Sequence, residues 1–81
     1  MSIDDTKLYD SFEIDFALIE QILKEVYDSL VEKGYDPINQ LTGYLMSGDP
    51  GYISSYQNAR NKIMSIDRSK IIEVLLRKGL K

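Results

Sequence analysis

The side chains best suited to binding a charged partner lie near the C-terminus of the chain. They comprise four basic residues and two neighbouring amides, namely Arg60, Lys62, Arg68, Lys70, Asn58 and Asn61. Groups of these types contact phosphates and base edges in nucleic acids. The whole chain is nevertheless acidic, with a net charge of −3 and a pI of about 4.8, which opposes its approach to DNA or RNA. We therefore do not expect nucleic acid to be a partner. A role as a nucleic-acid-associated accessory protein is kept only as the alternative function.

The groups that most often carry out catalysis are absent from this sequence. It contains no histidine and no cysteine, so it lacks the commonest general base, the thiol nucleophile and the ligands of structural zinc sites. The SGDPG segment at residues 47–51 lacks the lysine of a phosphate-binding loop and the alternating acidic ligands of a calcium loop. We therefore predict that the protein is not an enzyme and that it binds no metal ion and no cofactor.

Charge and hydrophobicity divide the chain into a tail and a domain. Residues 1–15 and 16–59 each carry a net charge of −4, whereas residues 60–81 carry +5. Residues 1–12 show no sustained hydrophobic period, so we predict a flexible, disordered acidic tail there and a helical dimerisation domain over residues 13–81. The N-terminus lacks the apolar core of a signal peptide, and no apolar run approaches the roughly 20 residues that cross a bilayer. The expected location is the cytoplasm, without membrane insertion.

Hydrophobic spacing predicts that the domain is all-α. A first helix should begin with Asp15 as its N-cap and end at Gly34, because apolar residues recur at helical spacing between them. These residues are Phe16, Ile19, Ile22, Leu23, Val26, Tyr27 and Leu30. A last helix should follow its N-cap Asp67 and run through RSKIIEVLLRKGL. No segment alternates as a strand does.

Two Asp-Pro pairs mark helix starts between these two helices. Asp36 suits an N-cap, and Pro37 suits the first helical position, because an N–H there would have no partner within the helix. Asp49 and Pro50 repeat the signal, and a further helical stretch should run through residues 56–64. Together these segments predict a small helical domain of about four short helices.

Glycines occupy two positions of interest in the second predicted helix. Gly48 should end this helix, as glycine often does. Gly43 falls in its middle, where glycine costs about 1 kcal/mol relative to alanine. We expect Gly43 to be there because it lets another helix approach closely.

Two stretches of the chain carry a family resemblance. The sequence KGYDPINQLTGYLMSGDPGYI at residues 33–53 is followed by NARNKI at residues 58–63. With these segments the chain resembles the IreB family of small bacterial regulatory phosphoproteins, from about Asp4 to Leu76. The resemblance implies a cytoplasmic, non-enzymatic, mostly helical homodimer. It also implies a substrate of a membrane-anchored Ser/Thr kinase that senses the cell wall, with a phosphatase that reverses the modification; the family's named member is a negative regulator of cephalosporin resistance.

The resemblance further implies a phosphoacceptor in the N-terminal tail. The Asp-acidic-Thr triplet of the family corresponds to Asp4-Asp5-Thr6, which makes Thr6 the candidate phosphoacceptor. Ile3 stands where the named member has a second threonine, and Ser2 is the other hydroxyl nearby. A phosphate on Thr6 adds a charge of about −1.5 to −2, and we expect it to lean towards the basic residues near the C-terminus.

Capping explains the two Asp-Pro pairs but not the polar and aromatic residues beside them. We predict that these residues and the later ARN segment form a docking surface for a downstream protein, or else part of a dimer seam. The candidate members are Asn39, Gln40, Tyr44, Tyr52, Arg60 and Asn61.

The chain is short for a lone hydrophobic core. A domain of this size buries roughly 60% of its unfolded surface, and without disulfides or metal such a core is marginal. This favours self-association, and we predict a homodimer with either of two apolar sets in its seam. They are Leu41, Tyr44 and Leu45, or Ile19, Ile22 and Val26.

Overall fold

Residues 2–80 fold as four α-helices and two single 3₁₀ turns. The structure is a computed structural model, which describes the backbone of residues 2–80 and the side chains of residues 15–80. The elements are α1 (Ser2–Lys33), α2 (Pro37–Ser47), the first 3₁₀ turn (Pro50–Tyr52), the second 3₁₀ turn (Tyr56–Asn58), α3 (Ala59–Met64) and α4 (Arg68–Gly79). No strand occurs among residues 2–80, so the prediction of an all-α fold is confirmed. None of the described helices is both long and apolar enough to cross a membrane.

The first helix begins earlier than the sequence pattern predicts. It runs for 32 residues from Ser2, so Asp15 lies inside α1 and the prediction of Asp15 as an N-cap is wrong. The physical reason is that no glycine or proline interrupts the chain between Ser2 and Lys33. The predicted flexible tail over residues 1–12, with Thr6, falls on residues whose side chains lie outside the described part of the chain. Its flexibility stays a prediction.

The C-terminus of α1 ends at the predicted glycine. Gly34 has a left-handed backbone with φ +91°, which a residue without a Cβ adopts at low cost. Its N–H donates to the carbonyl of Val31 at 3.0 Å, and the N–H of Tyr35 donates to the carbonyl of Leu30 at 2.9 Å. This pair of bonds satisfies carbonyls at the helix end and turns the chain towards α2.

The core forms where the other helices pack on the C-terminal half of α1. Its fully buried residues come from α1, from the segment after the first turn, from α3 and from α4. They are Val26, Leu30, Ile53, Ala59, Ile63 and Ile71, and Tyr44 of α2 joins them at 6% exposure. α1 contacts each of the other three α-helices, so it is the element on which they are all positioned.

The last helix starts at the predicted place but without a side-chain cap. Asp67 precedes α4, and its backbone carbonyl accepts from the N–H groups of Lys70 and Ile71 at 3.0 and 3.1 Å. Its carboxylate makes no capping hydrogen bond. Ile71 and Val74 are the buried residues of α4, and they fix its inner face against the core.

Candidate docking surface

The first Asp-Pro pair begins α2 as predicted. The carboxylate of Asp36 accepts a hydrogen bond from the backbone N–H of Asn39 at 3.1 Å, and Pro37 occupies the first helical turn. The side chain of Asn39 is exposed. Asp36 and Pro37 therefore have a local structural role, and Asn39 is the member of this corner that faces outward.

The second Asp-Pro pair is tied to the end of α2. Gly48 has φ +78°, and its N–H donates to the carbonyl of Tyr44 at 2.7 Å. The hydroxyl of Ser47 donates to the carbonyl of Gly43 and accepts from the N–H of Asp49. The carboxylate of Asp49 accepts from the N–H of Gly51 at 2.8 Å.

The helix start predicted at this second pair extends for a single 3₁₀ turn. Ile53 follows in an extended conformation, and its side chain is completely buried. The side chain of Ile53 must reach the core at this point. The extended backbone directs it there, whereas a continued helix would not. The helical stretch predicted over residues 56–64 is present as the second turn followed by α3.

Gly43 allows a close approach, although not of another α-helix. The ring of Tyr52 lies so near that a Cβ atom on residue 43 would stand 2.7 Å from its Cε1 and 2.9 Å from its Cγ. Tyr52 belongs to the first turn and keeps 50% of its surface exposed. One side of this ring therefore packs on α2, and the rest of it faces solvent.

Gln40 and Arg60 hold the extended segment between the two turns. The side-chain carbonyl oxygen of Gln40 accepts from the N–H of Ser54 at 3.1 Å, and Nε of Arg60 donates to the carbonyl of Ile53 at 2.8 Å. Backbone polar groups beside a buried residue need such partners. Both side chains already have a bond within the fold and are only partly exposed, and for them a docking role stays a prediction.

Tyr44 does require a correction, because it does not lie at the surface. It is 6% exposed and packs in the core cluster, because it lies on the face of α2 that meets α1. Tyr52, Asn39 and Asn61 remain at the surface, and the side chain of Asn61 donates to that of Asn58 at a long 3.5 Å. For these three residues a docking role stays a prediction.

The four basic residues near the C-terminus, called here the basic set, are Arg60, Lys62, Arg68 and Lys70. Most of them make contacts within the fold. Besides Arg60, Lys62 lies 3.3 Å from the carboxylate of Glu25. The guanidinium of Arg68 donates to the carbonyl of Leu45 at 3.0 Å. Lys70 has no hydrogen-bond or ion-pair partner among residues 15–80. The set is therefore not a continuous patch of free cations.

An apolar groove of about 530 Å³ lies between α1, α2 and α4. Its walls include Leu23, Tyr27, Ile38, Leu41, Leu45 and Leu75, and the charged residues Glu20, Lys24 and Lys78 also line it. Tyr27, Ile38 and Leu75 are 43%, 63% and 44% exposed. Leu41 and Leu45, from the first predicted dimer seam, line this groove.

The second predicted seam is largely hidden within the fold. Ile19 and Val26 are buried at 7% and 0% exposure, and Ile22 packs partly buried against the core. These residues form the face of α1 on which α3 and α4 rest. A second copy could not reach Val26 in the structure as it stands, so the seam built on Ile19, Ile22 and Val26 is corrected to a part of the core.

A comparison with protein-family models places this chain in a family. The model described as IreB regulatory phosphoprotein matches residues 4–81, which include α2, both turns, α3, α4 and nearly all of α1. The matched range includes both Asp-Pro pairs, Gly43, Tyr52 and Arg60. The chain therefore belongs to the IreB family of regulatory phosphoproteins.

Proposed function

We propose that this protein is a non-enzymatic regulator in the cytoplasm that is controlled by phosphorylation. In this proposal a membrane-anchored Ser/Thr kinase phosphorylates it and a phosphatase reverses the modification, in signalling that responds to cell-wall stress and antibiotics. Its effect on the pathway is negative. The observation that carries the proposal is the family match over residues 4–81, because the family is described as regulatory phosphoproteins.

Thr6 is the proposed phosphoacceptor. The chain has two threonines, Thr6 and Thr42. Thr42 lies in the middle of α2 and lines the apolar groove, so a kinase could take it only after α2 unfolds. Thr6 lies close to the first residue of α1, Ser2, and the ends of helices fray. The position of Thr6 therefore favours phosphorylation there.

Serines of the turn region are the competing acceptors. The hydroxyl of Ser54 accepts from the N–H of Tyr56 at 3.1 Å, and the backbone N–H of Ser54 is bonded to Gln40. Ser55 is exposed and lies next to this bonded segment. Both serines belong to a segment that hydrogen bonds hold within the fold, which disfavours their entry into a kinase cleft.

We propose that the protein forms a homodimer and that the apolar groove is the dimer seam. Exposed apolar surface that is concentrated in a groove marks an interaction site. A short chain without disulfides gains the missing apolar burial by self-association. The groove combines Leu41 and Leu45 of α2 with Leu75 of α4 and Tyr27 of α1, so two copies could pair these faces about a two-fold axis.

The alternative, a nucleic-acid-associated accessory protein, has less support. Arg60, Lys62 and Arg68 bond to Ile53, Glu25 and Leu45 within the fold. A phosphate backbone would have to compete for these side chains. Lys70 alone among the four basic residues has no partner among residues 15–80, and one cation gives weak, salt-sensitive binding.

The proposed function is tested by phosphorylation of the purified full chain with the catalytic domain of a cell-wall-sensing Ser/Thr kinase from the same organism. We expect one phosphate on the natural sequence and on Thr42→Ala, and none on Thr6→Ala. Thr42→Ala is the matched control, because it removes the other threonine from an exposed position. Equal phosphorylation of the natural protein and Thr6→Ala would contradict the assignment.

A further inference from the structure

The second 3₁₀ turn contains two consecutive residues with a left-handed backbone. Gln57 has φ +51° and ψ +34°, and Asn58 has φ +64° and ψ +19°. Neither residue is glycine, and an L-residue in this region brings its Cβ close to the following carbonyl oxygen. Asparagine tolerates the conformation better than glutamine. Such a pair persists where surrounding contacts hold it.

A hydrogen bond from α1 holds Gln57 in this conformation. The hydroxyl of Ser29 donates to the side-chain carbonyl oxygen of Gln57 at 2.8 Å. Among residues 15–80, Ser29 is the one polar side chain that is buried, at 4% exposure. A buried hydroxyl strongly favours a conformation that gives it a partner. The bond therefore ties a strained surface turn to the interior of the fold.

Two further residues of α1 contact the residue before Gln57. The ammonium of Lys33 lies 5.2 Å from the ring centroid of Tyr56. Burial raises the pKa of Tyr56 above its ordinary value, and the nearby Glu32 carboxylate raises it further by its charge and by a hydrogen bond. Ser29, Glu32 and Lys33 thus share one side of α1. Together with Tyr56 and Gln57 they form a clasp between α1 and the second turn.

We propose that this clasp is a conformational latch, which keeps the second turn closed and whose release opens residues 54–58 as a unit. The flanking residues limit the opening, because Ile53 and Ala59 are both fully buried on either side of the turn. Within the turn, the N–H of Asn58 donates to Ser55 and the N–H of Arg60 donates to Ser54, each at 3.1 Å. These two amides lose their partners when the turn opens, while Ile63 and Val74 keep theirs.

Opening changes what the surface offers to another protein. In the closed turn the backbone carbonyls of Ser54 and Ser55 are bonded to Arg60 and Asn58. In the open form both carbonyls lose these partners, and residues 54–58 lie on a free loop. The latch does not depend on the proposed function, in which the phosphate is carried by Thr6.

Amide hydrogen exchange of the full chain, followed by NMR at single residues, tests the latch. Ser29→Ala removes the donor, and Asn58→Gly relieves the left-handed strain while leaving the clasp in place. Ser69→Ala, an exposed serine of α4, is the matched control and should change nothing. We expect Ser29→Ala to speed exchange at Asn58 and Arg60 by about five- to ten-fold, the effect of losing one hydrogen bond on a local opening. Exchange at Ile63 and Val74 should keep its rate.

Two results would overturn the latch. One is unchanged exchange at Asn58 and Arg60 in Ser29→Ala, and the other is an equal acceleration at Ile63 and Val74, which indicates a general loss of stability. Asn58→Gly decides the question if Ser29→Ala fails to fold. It should slow exchange at Arg60, because it stabilises the closed turn. Unchanged or faster exchange at Arg60 in this variant contradicts the proposal.

Discussion

The ring of Tyr52 packs directly on the backbone of Gly43. A side chain on residue 43 would bring its Cβ to 2.7 Å from Cε1 of the ring, a distance at which the ring must move. This contact gives a physical reason for a glycine in the middle of α2, where glycine otherwise costs about 1 kcal/mol. It also joins α2 to the first turn, so the two Asp-Pro corners are parts of one packed unit.

The Tyr52–Gly43 contact predicts that Gly43→Ala changes stability in opposite directions in the presence and in the absence of the Tyr52 ring. In the natural background, Gly43→Ala should lower the melting temperature, because overpacking costs about 1–3 kcal/mol. In a Tyr52→Ala background the same change should raise stability by about 1 kcal/mol through helix propensity. Thermal melts of the four proteins in this cycle measure the coupling. Stabilisation by Gly43→Ala in the natural background would show that the ring yields freely.

The bond from Ser54 to Gln40 predicts different effects for two substitutions of similar size. Gln40→Met removes the acceptor and leaves the N–H of Ser54 without a partner, which should cost about 1–3 kcal/mol. Gln40→Glu keeps an oxygen in the same place and should cost clearly less. Urea unfolding of both variants gives the difference. Equal losses would mean that the side chain acts through packing rather than through this bond.

The sequence predicts the helix ends better than the roles of the residues between them. Gly34, Asp36 and Gly48 follow local capping chemistry, which depends on a few neighbouring residues. Asp15 has equally good local chemistry, yet α1 continues through it. A residue such as Asp15 acts as an N-cap only if the residues before it are not helical. Capping propensity alone does not determine whether they are helical.

The inward roles of Gln40 and Arg60 could not be derived from periodicity. Both residues are long and polar, which suggests a surface, but each reaches a backbone group of the extended Ile53–Ser54 segment. That segment was predicted as a helix start, and in a helix those groups would need no side-chain partner. The apolar groove was missed for a related reason, because it depends on how α2 and α4 are placed along α1.

The groove predicts which apolar side chain controls self-association. Ile38 is 63% exposed and lines the groove, whereas Met46 is 82% exposed on the same helix and does not line it. Ile38→Asp should convert the dimer to a monomer at micromolar concentration, and Met46→Asp should leave the dimer intact. Light scattering coupled to size exclusion separates the outcomes. A natural protein that is monomeric at this concentration, or a dimeric Ile38→Asp variant, would refute the proposed seam.

Because most residues of the basic set already have partners within the fold, we expect a phosphate on Thr6 to dock weakly. Arg60, Lys62 and Arg68 are engaged within the fold, so we expect the attraction to centre on Lys70. NMR spectra of the phosphorylated chain should show small shifts around Lys70 at low salt. These shifts should vanish at high salt, because exposed charges are screened beyond about 8–10 Å at physiological ionic strength. The control is phosphorylated Lys70→Gln; the same shifts in this variant would contradict docking at Lys70.

We propose that phosphorylation at Thr6 is what regulates this IreB-family chain. The most direct measurement is fragmentation mass spectrometry of the protein purified from its own cells, with and without the kinase and the phosphatase. We expect one phosphate on Thr6 that is lost without the kinase and accumulates without the phosphatase. A phosphate on Ser54 or Ser55 with Thr6 unmodified, or a Thr6 phosphate that is indifferent to the kinase, would contradict it.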